Sequence, residues 1–144
     1  MFDIAVATAV YCLAQNIYFE ARGEKDVTAQ LAVATVVMNR VRDDRFPDDP
    51  CAVVRQGPVS RTGLPLLNQC QFSWWCDGKL ETIDDPVAWR QAEIFARLVL
   101  TSGLQISGIE EATHYHASYV SPDWLPKMKF CRRIGAHKFY RLIN

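Results

Sequence analysis

The sequence predicts an α+β fold that is mostly α-helical, with a small β-sheet, in a single domain spanning residues 1–144. Three observations predict it. Apolar residues recur at helical spacing through three long segments, over about residues 3–21, 26–42 and 86–102. Two Asp-Pro steps and Asp26 supply helix-start signals at the right places. The length, 144 residues, suits one domain with a core of its own, because two would each be at the small end of the usual range.

The first helix carries Ile4, Ala7, Val10, Tyr11, Ala14, Ile17, Tyr18 and Ala21 on its periodic positions, and Gly23 is placed to end it in the left-handed conformation. Asp26 caps a second helix reaching about Arg42. Its centre, Leu31 to Met38, is apolar on all sides, which predicts a helix wrapped by the rest of the domain. Asp49-Pro50 starts a short helix through Arg55, and residues 56–65, with two Gly and two Pro, form a loop. Asp85-Pro86 starts the last long helix, with Trp89, Ala92, Ile94, Phe95, Leu98 and Val99 facing inward and Gly103 as its stop. Phe72-Ser73-Trp74 and Thr113 to Ala117 have the composition of short strands.

Composition removes several function classes. Lys plus Arg and Asp plus Glu number 16 each, so no net basic charge exists to hold a nucleic acid. No uninterrupted apolar run approaches the ~20 residues of a membrane span, so stable membrane insertion is not expected. The apolar N-terminal stretch has Asp3 where a signal peptide would be basic, and reads as the first helix of the domain. Of the cysteines Cys12, Cys51, Cys70, Cys76 and Cys131, the odd count leaves at least one thiol if all bonds are intramolecular. Cys12, in the apolar helix, is the expected free one, and the other four allow three pairings. No phosphate-binding loop, dinucleotide fingerprint, C-x-x-C or H-E-x-x-H motif occurs, and neither cofactor nor metal is expected.

Three groups of residues could carry chemistry. Glu20 lies near the C-terminal end of the first helix, beside Tyr18 and Phe19. The negative end of the helix dipole and aromatic desolvation both raise a carboxyl pKa, as a general acid working near neutral pH requires. The competing reading is a surface glutamate paired with Arg22 or Arg40. Glu24, beyond Gly23, reads as structural, either accepting from backbone donors at the start of the second helix or pairing with an arginine. The second group is the loop Gln71, Phe72, Ser73, Trp74, Trp75, Cys76, Asp77 and Gly78. Its aromatic faces can stack on sugar rings and its polar groups can bond hydroxyls, although both tryptophans could equally be core. Asp77-Gly78 reads at least as well as a turn. The third is His114-x-His116 with His137, where two imidazoles on one strand face could hold zinc if His137, Asp123 or Cys131 joined them. Satisfied structural histidines are the commoner case.

The run Leu13-Ala14-x-x-x-Tyr18-x-Glu20-Ala21-Arg22-Gly23-Glu24, followed by Gln30-x-Ala32-Val33-Ala34-x-Val36-x-x-Asn39-Arg40-Val41, resembles the SleB/CwlJ-type cell wall hydrolases. Phe46-Pro47, Gln71-Phe72-Ser73, Asp77-Gly78, Ala112 to Ala117 and Ile134-Gly135-x-His137-x-Phe139-Tyr140 fit the same family in order, so the likeness runs from about residue 10 to 141. The resemblance implies a lysozyme-like fold with a small sheet beside a substrate cleft. It also implies lytic transglycosylase-type cleavage of peptidoglycan glycan strands between N-acetylmuramic acid and N-acetylglucosamine, with Glu20 as acid and then base. Gln71, Phe72, Ser73, Trp74, Trp75, Tyr115 and His116 are the expected sugar-positioning residues. A zinc-dependent N-acetylmuramoyl-L-alanine amidase and a hydrolytic muramidase are the alternatives, and a wall-binding module without activity is a third. The expected working form is a monomer at the bacterial cell wall or periplasm. A catalytic domain with no visible leader or separate wall-binding domain suits a phage lysis enzyme that reaches the wall through a separate pore. The cysteines and the paired tryptophans depart from the family pattern.

Overall fold

A computed structural model describes residues 4–143. The elements in chain order are α1 (Ile4–Ala21), α2 (Val27–Val41), α3 (Pro50–Val54), α4 (Pro86–Ser102), β1 (His114–Ala117), β2 (Met128–Ile134) and β3 (His137–Leu142), with 3-10 turns at Ser73–Cys76 and Leu125–Lys127. The strands form one antiparallel sheet in the order β1-β3-β2. This is the mostly helical α+β layout with a small sheet that the sequence predicts. The expected start of the first helix at residue 3 lies outside the described residues.

The capping signals act as read. Asp26 accepts from Thr28 N, Asp49 from Ala52 N and Asp85 from Ala88 N, each satisfying a donor that the first helical turn leaves without a partner. Gly103 ends α4 in the left-handed conformation, φ 67°. Gly23 does not behave this way. α1 closes at Ala21, and Gly23 is not among the residues of positive φ.

α2 is apolar all round because it has two partners. One face joins Leu13, Ile17, Tyr18, Val53, Val54, Ala92 and Ala96 in a helical core, and the other packs Ala32 and Val36 against Ile109, Ala112, Ile134 and Phe139 under the sheet. α1 is long and apolar enough to cross a membrane, yet its residues from Ala9 to Tyr18 are mostly buried within this domain. On α4 the inward stripe is Ala92, Ala96 and Val99, flanked by half-buried Trp89 and Phe95. Ile94 and Leu98, expected inward, are 57% and 43% exposed, because at about 100° per residue they fall on the opposite side from Ala92 and Ala96.

Two corrections concern the aromatic loop and the cysteines. Phe72-Ser73-Trp74 is not a strand: Ser73–Cys76 is a 3-10 turn, closed by a Cys70–Cys76 disulfide and by Trp74 Nε1 donating to Asn16 Oδ1 at 2.9 Å. Cys12 is buried as expected but bonded to Cys51, tying α1 to α3, and Cys131 is the free thiol. The Cys12–Cys51 link closes a span of 39 residues. Loop-closure entropy for that length corresponds to about 4 kcal/mol. The double variant Cys12→Ala/Cys51→Ala is therefore expected to lose about 2–5 kcal/mol in urea denaturation, and an unchanged midpoint would contradict this.

Candidate active site

Glu20 sits in the last turn of α1, where the helix delivers it to the meeting point of two cavities. One, of about 500 Å³, is lined by Arg40, Gln71, Phe72, Ser73, His114 and Trp124 among others. The second, of about 730 Å³, is bordered by Glu24, Lys25, His116, Tyr119 and His137. Glu20, Ser73 and Tyr115 belong to both, so the two hollows form one furrow with the carboxyl at its waist.

The setting of Glu20 is that of an acid. Burial raises its pKa from 4.5 to about 7, against the opposing pull of hydrogen bonding from Tyr115 and of the Arg40 charge. Arg22 does not pair with it: its guanidinium donates to the Tyr18 hydroxyl and lies 4.8 Å from that ring's centroid. The buried Tyr115 hydroxyl lies between the Glu20 carboxyl and the buried Asn16 side chain. Tyr115 stays protonated, held well above its ordinary pKa by burial and by the neighbouring charge of Glu20.

Arg40 is the site residue that the sequence reading left as a mere pairing partner. It is 3% exposed, on the last turn of α2. Its Nε donates to Thr113 O at 2.7 Å, its Nη1 reaches Gln71 Oε1 at 3.5 Å, and its guanidinium lies 4.9 and 5.0 Å from the ring centroids of Phe46 and Phe72. Burial lowers its pKa to about 10, offset in part by Tyr115 and Glu20, so it stays cationic at neutral pH. It therefore links α2, the residue before β1 and the aromatic loop around one positive charge. His114 faces the same cavity as a neutral imidazole, its pKa lowered to about 4 by burial and by the charges of Arg40 and Arg45.

Glu24 is structural, and its side-chain partner is His137, not an arginine. Its carboxylate accepts from Asp26 N at 3.1 Å, from Ala136 N at 2.8 Å and from His137 Nδ1 at 3.1 Å. Burial pushes its pKa up, but these donors outweigh it and hold the group below the usual carboxylate value. The carboxylate thus pins the β2–β3 turn to the loop that follows Glu20. Its stabilising effect is present above pH 4.5 and is lost as pH falls through the depressed folded value. Gly135, at φ 58°, lets the turn approach: a Cβ there would stand 2.7 Å from Glu24 Oε1. Gly135→Ala is expected to cost about 1–3 kcal/mol, read as a lower thermal midpoint.

Of the expected sugar-positioning residues, Gln71, Phe72, Ser73, Tyr115 and His116 line the furrow. Trp74 and Trp75 do not. Trp74 is buried and stacked on Phe19 at 4.9 Å, and Trp75 is half-buried under the Arg55 guanidinium. Trp124, which sequence reasoning missed, lines the cavity instead. Asp77 accepts from Lys79 N in a turn with Gly78 at φ 79°, as the turn reading held. The imidazoles are engaged separately: His114 with Thr113 Oγ1, His116 with Ala117 O and the Tyr140 hydroxyl, His137 with Glu24. No three His, Cys, Asp or Glu side chains among the described residues converge as a metal site.

Comparison with known proteins agrees with this architecture. The chain superposes on the catalytic domain of the germination-specific lytic transglycosylase SleB of Bacillus anthracis with a TM-score of 0.66, at 23% identity and over 97% of both chains. For the catalytic domain of the Bacillus cereus SleB protein the TM-score is 0.63, at 24% identity, over 94% of this chain and 91% of that one. A spore cortex-lytic enzyme of Halalkalibacterium halodurans is 31% identical over 131 residues, which is 90% of this chain and 34% of that protein. The chain thus spans about a third of that relative's length. Residues 24–140 match the profile of the Cell Wall Hydrolase family, and the chain belongs to that family.

Proposed function

We propose that this domain cleaves peptidoglycan glycan strands at the bond between N-acetylmuramic acid and N-acetylglucosamine, as a lytic transglycosylase, with Glu20 as the single acid and base. The observation that carries the proposal is one carboxyl, with its pKa raised to about 7 by burial, at the waist of a furrow open on both sides. A polymer can lie through such a furrow and present one inter-sugar bond to the acid. Membership of the Cell Wall Hydrolase family and the names of the similar proteins support the same substrate.

The chemistry needs one proton donor that recovers its proton. Protonated Glu20 gives its proton to the glycosidic oxygen as the bond to muramic acid C1 breaks, and the N-acetylglucosamine leaves with a free 4-hydroxyl. Oxocarbenium-like charge develops on the muramic acid. The Glu20 carboxylate, opposite in sign to this charge and to Arg40, then takes the proton of the muramic acid's own C6 hydroxyl. That oxygen closes onto C1 as a 1,6-anhydro ring, and no water is consumed. A hydrolytic muramidase usually relies on a second free carboxylate. The other carboxylate bordering the furrow, Glu24, is occupied by three donors.

Mass spectrometry of digested peptidoglycan tests the reading. Anhydromuropeptides are the expected product. Fragments of the same bond carrying one added water would replace it with a muramidase, and free stem peptides with an amidase.

A further inference from the structure

Another cavity lies behind the furrow. It is an open hollow of about 550 Å³, with Asn39, Arg42, Glu110, Glu111, Thr113 and Arg141 in its lining. The two hollows are neighbours. Asn39 and Thr113 face this cavity while their chain neighbours Arg40 and His114 face the furrow, and Leu142 borders both. The residues between them are held in place. Asn39, 6% exposed, donates through Nδ2 to Ile109 O at 3.0 Å and to Ala112 O at 2.8 Å, and Thr113, 2% exposed, accepts from Leu142 N at 3.0 Å.

Most charges around this cavity are exposed and form no close ion pair with one another among the described residues. Asp43 and Arg45, also in the lining, close on each other at 2.7 Å. The Arg42 guanidinium donates to Asn39 Oδ1 at 2.8 Å, and neither it nor Arg141, Glu110 or Glu111 forms an ion pair among the described residues. Guanidinium and carboxylate groups that line one hollow without pairing complement a ligand bearing both carboxylates and an amine. Guanidinium groups in particular suit carboxylates through their planar fork of donors.

We propose that this cavity binds the stem peptide carried on the lactyl group of muramic acid, a short chain with several carboxylates and the free amine of a diamino acid. This rests on the glycan-strand reading above. The peptide of a strand in the furrow would cross the Leu142 edge, with its carboxylates toward Arg42 and Arg141 and its amine toward Glu110 and Glu111. The site thereby makes the domain selective for strands that still bear peptides.

The test compares kcat/KM on purified glycan strands with stem peptides and on strands stripped of them by an amidase. Wild-type protein is expected to favour the peptide-bearing strand by about tenfold, the scale of one or two charge-assisted hydrogen bonds. Arg141→Gln and Arg42→Gln, each checked for an unchanged thermal midpoint, are expected to bring that ratio toward one. Equal rates on both strands in wild type, or a ratio unmoved in both variants, overturn the peptide site and leave the functional reading standing. Cleavage of neither strand overturns the functional reading. A synthetic stem tetrapeptide titrated into the Glu20→Gln protein then decides the site alone. Amide shifts centred on Arg141 and Leu142 support it. No shifts, or equal shifts with free glutamate or arginine, refute it.

Discussion

Glu20→Gln is expected to reduce glycan cleavage by about a hundred- to ten-thousandfold, the usual contribution of a positioned general acid. In the same protein it is expected to raise stability at alkaline pH. Both effects have one cause. Burial holds the Glu20 pKa at about 7 in the folded state against 4.5 for the free group. Between those values the folded protein keeps a proton that the unfolded chain has lost, so stability falls as pH rises through that window. Above pH 7 the cost is fully present, with an upper figure of about 3 kcal/mol from the size of the shift. Glutamine has the same shape and no charge, and escapes that cost. Urea midpoints of the two proteins should therefore coincide near pH 4 and separate by pH 8, with the variant the more stable. Wild-type activity should fall as pH rises past about 7, because only the protonated acid can donate. A variant that retains activity and shows no gain in stability at pH 8 would remove Glu20 from the mechanism.

The parts of this molecule that a sequence exposes are those set by neighbours in the chain. Asp26, Asp49 and Asp85 cap helices through donors two or three residues away, so their signals were legible. The helix-end position of Glu20 beside aromatic residues is local information of the same kind, but it was the resemblance to the cell wall hydrolases that chiefly singled this residue out. Arg40 was not. Its importance comes from Thr113, Gln71, Phe46 and Phe72, none of them close in sequence, and a lone arginine in an apolar helix does not announce them. Trp124 reaches the furrow from a loop, its ring tilted against His114 at 5.1 Å and edge-on to His116 at 5.7 Å, where no periodicity marks it. β2 has one buried residue in seven and a bulge between Phe130 and Arg132, so it lacks the alternation that reveals a strand. The aromatic loop misled because an alternating Phe-Ser-Trp run has strand composition. The Cys70–Cys76 bond and the Trp74 to Asn16 hydrogen bond turn it into a 3-10 coil instead.

The second large effect is expected at Arg40. Arg40→Met keeps much of the side chain's volume but removes the charge and the donor to Thr113 O, leaving that buried carbonyl without its 2.7 Å partner. Loss of this bond and of the contacts with Phe46 and Phe72 is expected to cost about 2–4 kcal/mol of stability. A structural role alone would end there. The electrostatic role adds a second signature, because the Arg40 cation lowers the Glu20 pKa. Without it the pH at which activity declines should move above 7, while the maximum rate drops, since the Glu20 carboxylate left after proton donation loses the positive charge that Arg40 supplies. Arg40→Lys retains a charge but not the fork that holds Thr113 and Gln71 together. It should lose stability as well, yet keep its pH limb closer to that of the wild type. Stability measured beside pH–rate profiles for the two variants separates the roles. If both lose stability and neither limb moves, Arg40 supports the wall of the furrow and leaves the acid's proton affinity to burial alone.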